Sequence, residues 1–313
     1  MNKKLVVGFI AGAIAISLIA AVFSGSSKVT RRKGSERIGI IYVEGTISGN
    51  RDQGGLFGAS VSGQTIMEQL KQAREDDSIK AVLIRINSPG GSSAASQEIG
   101  YEIEKIREKG KVVVASMGDV AASGGYWIAA KADKIIADPA TMTGSIGVIM
   151  DLQNMKELYN KIGITAETIK SGPYKDMGSS SRALTPAERS ILQAMVNDIY
   201  QQFVDVVATG RHMSRNKVLQ LADGRVFTGR QAKENGLVDV LGNYYDAIDL
   251  TGKLAGIKGE PVVYEMSPQS PIEKFFNRVQ AMEQLNYRTA GLTPREVEML
   301  ITVLRNRQGL PSQ

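Results

Sequence analysis

Three short stretches of this chain hold residue types from which an acyl-transfer centre could be built. In MGDVAASGGYWIAAKAD (117–133), small residues surround Ser123 where a β-branched run, KVVVAS, gives way to helical apolar spacing at Tyr126, Trp127, Ile128 and Ala130. Such a corner lets a substrate approach the backbone closely, and a helix start favours developing negative charge. Serine is also a good N-cap, so the position alone leaves nucleophile and cap both open. In NSPGG (87–91), two glycines follow another β-prone run. They can present backbone N–H groups with no side chain in the way, as an oxyanion hole requires.

The base is narrowed by composition. The chain has no cysteine and one histidine. Disulfides, thiolate metal sites, cysteine nucleophiles and sites built from two histidines are therefore excluded. A histidine base has to be His212, in the polar turn ATGRHMSRN. The other precedent is lysine, which becomes a base when burial favours the neutral amine. Lys170 and Lys175 flank Gly172-Pro173 in IKSGPYKD, and Lys175 comes straight after that turn.

The elements that must position these residues alternate in type. Strands are predicted at 37–47, 81–91 and 111–116, in KIIADPATMTGSIGVIM before a turn at Asp138-Pro139 and in the β-prone run after it, and in TAETIKSGPYKD. Helices are predicted at 64–76, 93–110, 123–132 and 155–162. The capping box Thr185-Pro186-Ala187-Glu188 starts a long helix to about Gly210, and a second box begins at Thr293. Alternation of this kind predicts an α/β fold with a largely parallel sheet. The turns carrying Ser123 and Gly90-Gly91 would then share the carboxyl edge of that sheet.

The formal charge of +6 lies wholly at the amino-terminal end, at Lys3, Lys4 and the basic stretch 28–37. Residues 38–313 sum to zero, which argues against nucleic acid as a partner. Between the basic clusters lies an uncharged run of nineteen residues, Leu5–Phe23. That matches the ~20 needed to cross a bilayer as a helix and exceeds the ~7–15 apolar residues of a cleaved signal. The expected organisation is a stub and membrane anchor at 1–27, a basic linker at 28–36, a catalytic domain at 37–266 and a helical tail at 267–313.

Together, SPGG, GDVAASGGY, TGSIGV and SGPYKD, in that order behind an anchor, resemble the signal peptide peptidase A (SppA) family. Its members are membrane-anchored serine–lysine peptidases of the ClpP/crotonase fold, built from superhelical βαβ units. The resemblance runs from about Arg37 to Tyr264 and is to the short, single-domain form. It implies Ser123 as nucleophile, Lys175 as general base, and Ser145 as the hydroxyl that orients the lysine. It implies an oxyanion site from the amides of Gly90 and Gly124. Neither metal nor organic cofactor is implied. The implied partners are signal-peptide remnants and other apolar peptides, membrane lipid through residues 5–23, and further copies in a ring or dome whose neighbours help complete the sites. The implied location is a single-pass cell-membrane protein with its peptidase domain on the extracytoplasmic side. An acyl-CoA enzyme, a His212-dependent peptidase and a non-catalytic, membrane-tethered assembly protein of the same fold stand as alternatives.

Overall fold

The computed structural model describes residues 36–50 and 60–266. The anchor, most of the linker, the tail and the box at Thr293 lie outside the described residues. Among those described, no helix is long and apolar enough to cross a membrane.

The elements run β1 (Arg37–Glu44), β2 (Thr46–Ser48), β3 (Ser60–Ser62), α1 (Gly63–Glu75), β4 (Ile79–Ser88), α2 (Ser93–Glu108), β5 (Val112–Ala122) and α3 (Gly124–Ala129). They continue with β6 (Lys134–Ala137), β7 (Met142–Gly144), α4 (Lys156–Lys161), α5 (Pro186–Gly210), α6 (Arg215–Leu221), β8 (Val226–Thr228), α7 (Gly229–Glu234), β9 (Val240–Leu241), α8 (Tyr244–Leu254) and β10 (Val262–Glu265). The main sheet has the order β10-β1-β4-β5-β6-β9, with every pair parallel. β7 also pairs with the end of β5, and β8 runs antiparallel to β7.

Burial on both faces explains the near-continuous apolar runs of β1, β4 and β5. Ile41, Val43, Val82, Ile84 and Ile86 face a large core shared with the apolar sides of α1 and α2. Ile38, Ile40, Leu83, Val114 and Ile136 face a smaller core closed by Ala247 of α8. α1 and α2 begin on serine caps, with Ser62 and Ser92 accepting from Thr65 and Ala95 N–H. The capping box of α5 forms in both directions, with Pro186 in its first turn.

Two elements depart from the predicted ones, and both bear on the site. β5 does not stop at Ser116 but runs to Ala122. Between the pairs Ile86↔Met117 and Ser88↔Ala121, β5 uses two more residues than β4. Asn87 Oδ1 accepts from Val120 N–H at 3.2 Å across this irregularity, and β7 takes up the last three residues of β5. The segment TAETIKSGPYKD forms no strand. No neighbouring strand accepts it, and Ile164 and Ile169 stay exposed.

α5 is anchored to α3 by Trp127 and Phe203, whose ring centroids lie 4.8 Å apart. Both are almost fully buried. Phe203→Ala is expected to cost about 3–5 kcal/mol, the range for truncating a buried aromatic. Urea unfolding checks this; a loss below about 1 kcal/mol would mean that α5 is not held through this contact.

Candidate active site

β4 and β5 deliver their carboxyl ends side by side, with Ser88 opposite Ala121. The Pro89-Gly90-Gly91 turn follows one and Ser123 follows the other. Ser123 has φ 52° and ψ −120°, a left-handed backbone that L-residues rarely adopt. It occupies the N-cap position of α3, yet its side chain makes no capping hydrogen bond. The other serine caps, Ser62, Ser92 and Ser214, have negative φ and accept from the helix backbone. The ordinary capping role is thus not what Ser123 performs, and its half-buried hydroxyl is left to face a cavity.

Several bonds hold this corner. Ser123 N–H donates to Gly144 O at 2.9 Å, and Trp127 N–H closes the first helical turn on Ser123 O at 2.9 Å. Thr143 Oγ1 donates to Ala121 O at 2.6 Å. A β-carbon on Gly124 would stand 2.5 Å from the buried Ser96 Oγ, so a larger residue would either turn that hydroxyl away or push α3 off α2. Tyr126 OH donates to Leu237 O at 2.9 Å inside the core, fixing the far side of α3.

The end of β7 brings the second serine alongside. Ser145 follows Gly144 directly, has φ 49°, and gives its N–H to Arg225 O at 2.8 Å. Ser123 and Ser145 line one cavity of about 530 Å3. Gly91, Val148 and Ile149 contribute to its wall, and α5 supplies Gln193, Val196, Asn197 and Tyr200. Tyr200 OH donates to Ala222 O at 2.8 Å, tying α5 to the loop that ends at Arg225. The volume and the mixed apolar and amide lining suit a peptide segment.

Gly90 packs directly against Ser123; a β-carbon there would be 2.7 Å from Ser123 Cβ and 2.8 Å from Gly124 N. Its N–H, expected from the sequence to face an oxyanion, donates to the buried Ser88 Oγ at 3.1 Å. That bond leaves the Gly90 amide engaged with its own turn. Gly91, one residue on, is the glycine of this turn that lines the cavity.

The structure does not place Lys175 in the cavity wall with Ser123 and Ser145. Lys175 is exposed, in a turn where its own N–H donates to Gly172 O at 3.3 Å. Lys170 is engaged elsewhere, giving its amine to Asp176 Oδ1 at 2.7 Å and to Pro173 O at 3.2 Å. His212 is exposed in the turn after α5 and is absent from the cavity lining.

One group near the lysine turn was not foreseen from the sequence. Arg182 bridges Asp176 and Glu188, and Glu188 Oε2 also accepts Thr185 N–H at 2.8 Å in the capping box. Hydrogen bonds from Arg182 and then Lys170 hold the Asp176 carboxyl well below the ordinary range. Arg182, with help from Thr185 N–H, does the same for Glu188. Because both folded-state pKa values are depressed, this stabilisation is full above the unfolded carboxylate range. It is lost as pH falls below about 4 toward the folded values. Hydrogen-exchange protection of the turn amides that follow Asp176 is expected to drop over that window. Protection unchanged down to about pH 2 would show that the carboxylates do not hold the turn.

The sequence profile of peptidase family S49 matches residues 105–258. A protein of Synechocystis sp. provisionally named a protease is 47% identical over 209 residues, covering 66% of this chain and 75% of its own length. A protein of Methanocaldococcus jannaschii, also provisionally named a protease, is 39% identical over 269 residues, covering 84% and 86%. A provisional signal peptide peptidase SppA of Enterococcus faecium is 37% identical over 276 residues, covering 80% of each chain.

Proposed function

This chain belongs to peptidase family S49 and is a serine peptidase; from that premise we propose that Ser123 is its nucleophile, that Lys175 of a neighbouring copy is its general base, and that it degrades signal-peptide remnants and other apolar peptides at a membrane. The observation that carries this reading is the strained corner of Ser123, whose hydroxyl caps nothing and opens on a peptide-sized cavity. The proposed fold is that of the ClpP/crotonase group, preceded by a membrane helix at residues 5–23 that leaves the peptidase domain on the extracytoplasmic side.

The neighbouring copy is invoked for two reasons. Lys175 is missing from the wall around its own chain's Ser123. The segment that carries it also exposes a row of large apolar side chains, from Ile149 at 83% through Leu158 and Ile162 to Ile169 at 96%. Large apolar side chains left exposed along one segment suit an assembly interface. Packing it against another copy, in a ring or dome, would also withdraw the lysine from water and favour its neutral form.

The chemistry then runs in two halves. The neutral lysine amine takes the Ser123 hydroxyl proton as Oγ attacks the peptide carbonyl carbon. The oxyanion is held by amides of the Gly90-Gly91 turn and of Gly124, and Ser145 orients the amine. The ammonium passes its proton to the leaving nitrogen as the C–N bond breaks, giving an acyl-enzyme and a free amine. Water, deprotonated by the same lysine, releases the acid and restores Ser123.

The test is cleavage of a fluorogenic apolar peptide by the assembled protein. Ser123→Ala and Lys175→Ala are expected to abolish turnover, and His212→Ala to retain it. Ser145→Ala is expected to lose roughly 10- to 100-fold through a misplaced base. Retained activity in Lys175→Ala would remove the dyad. Loss in His212→Ala would return the base to histidine. Thermal protection by coenzyme A would favour an acyl-CoA enzyme instead.

A further inference from the structure

We propose that Arg182 is a positioning residue for the base: by covering both oxygens of Asp176, it stops the carboxylate next to Lys175 from holding that amine as an ammonium. This rests on the reading of Lys175 as general base. The two residues are consecutive, so a bare Asp176 would be the carboxylate nearest to the lysine along the chain.

Asp176 is not bare. Arg182 Nε donates to Oδ2 at 2.8 Å and Arg182 Nη2 to Oδ1 at 2.7 Å. Lys170 Nζ donates to Oδ1 at 2.7 Å. The other side of the guanidinium reaches Glu188, Nη1 to Oε2 at 2.8 Å and Nη2 to Oε1 at 2.5 Å. Glu188 completes the capping box of α5, the helix that walls the cavity, by accepting from Thr185 N–H. Lys170 from its own segment, Arg182, and Glu188 behind Arg182 are the charged groups that face Asp176. No other cation pairs with it among the described residues.

Asp176 and Glu188 side chains are 11% and 2% exposed, whereas Lys175 is exposed and has no ion pair among the described residues. The network thus occupies the Asp176 and Glu188 carboxylates and leaves Lys175 without an ion pair among the described residues; in the cavity where the amine would act, the one carboxylate in the wall is Asp223, which is paired with Arg225. That is the condition a lysine base needs, because an opposite charge within ~4–6 Å favours the charged form by about 1–3 pH units. Arginine suits the task because its planar fork serves two carboxylates at once, which an ammonium cannot. A purely structural staple would also hold the turn to α5, but it would not tie the rate to the charge on Asp176.

The experiment is the pH dependence of kcat and KM for the full assembled protein. It compares wild type, Arg182→Ala, the double variant Arg182→Ala/Asp176→Asn, and Lys175→Ala. In Arg182→Ala the ascending limb of the kcat profile is expected to move up by about one pH unit or more, with about tenfold or greater loss of kcat at neutral pH and little change in KM. Adding Asp176→Asn is expected to return the limb to its wild-type position, although the turn stays unstapled. An unmoved limb in Arg182→Ala, or a limb that stays displaced in the double variant, would overturn the inference. If Arg182→Ala does not assemble, Arg182→Lys is used. It is expected to give a smaller shift in the same direction, and no shift overturns the inference equally. Activity in Lys175→Ala would instead bring down the base assignment on which the inference stands.

Discussion

Co-assembling Ser123→Ala chains with Lys175→Ala chains is expected to regenerate peptidase activity from two inactive proteins. Each proposed site takes its serine from one copy and its lysine from the next. A mixed assembly therefore holds some sites in which an intact Ser123 meets an intact Lys175. With equal amounts and random order in a head-to-tail ring, roughly a quarter of the sites are complete. The wall around Ser123 has no lysine, and the segment that carries Lys175 exposes Ile149, Leu158, Ile162 and Ile169. The assay is peptide cleavage by co-expressed, differently tagged chains purified through both tags. Activity no higher than that of either parent would place serine and lysine in the same copy, or remove the dyad.

Gly90→Ala is expected to damage both the fold and the reaction. Gly90 has φ +105°, where an L-residue is strained by about 1–3 kcal/mol. The new methyl would also stand 2.7 Å from Ser123 Cβ, 2.8 Å from Gly124 N and 3.0 Å from Ala122 O. Two of these neighbours are backbone atoms of the strand-to-helix corner, so they cannot step aside as a flexible side chain would. Something must shift by several tenths of an ångström, and the nucleophile is the nearest thing to move. A 1 Å misplacement costs about 100-fold in rate, so a shift of several tenths is expected to lower kcat by roughly 10- to 100-fold. Gly110→Ala is the matched control: φ is +78°, but nothing lies within 4 Å of the new carbon. It is expected to lose stability by about 1 kcal/mol and to keep its kcat. Equal kcat loss in both would mean that strain alone, rather than contact with Ser123, controls the rate.

Much of the frame was legible in the sequence because local signals and tertiary demands agree. The runs at 37–44 and 79–88 are rich in Ile, Val and Leu, and both become strands buried on two faces. Thr185 and Glu188 announce α5, and both halves of their box form. The extension of β5 to Ala122 was not legible. GDVAA has no β-strand pattern of its own, and only its pairing with Ser88 and with Met142–Gly144 makes it strand. The opposite error occurred at TAETIK, where β-prone residues find no partner strand.

At the site, the sequence marked Ser123 as a corner serine but could not distinguish cap from nucleophile. The left-handed backbone and the idle hydroxyl remove the capping role, and both are tertiary facts. The Arg182 fork was equally invisible, since no sequence pattern links Arg182 to carboxylates six residues to either side. The absence of Lys175 from the cavity wall could not be read from its motif either. A motif fixes order along the chain and says nothing of which copy supplies a group.

The most direct measurement is the location of the acyl group during turnover. The assembled protein would be mixed with an activated ester of an apolar peptide, quenched in acid, weighed intact and mapped by digestion. Wild type is expected to gain the mass of one acyl group on the peptide containing Ser123, and the Ser123→Ala chain to gain none. Acyl transfer to any other residue, or hydrolysis by Ser123→Ala at the wild-type rate, would contradict the assignment of Ser123 as nucleophile.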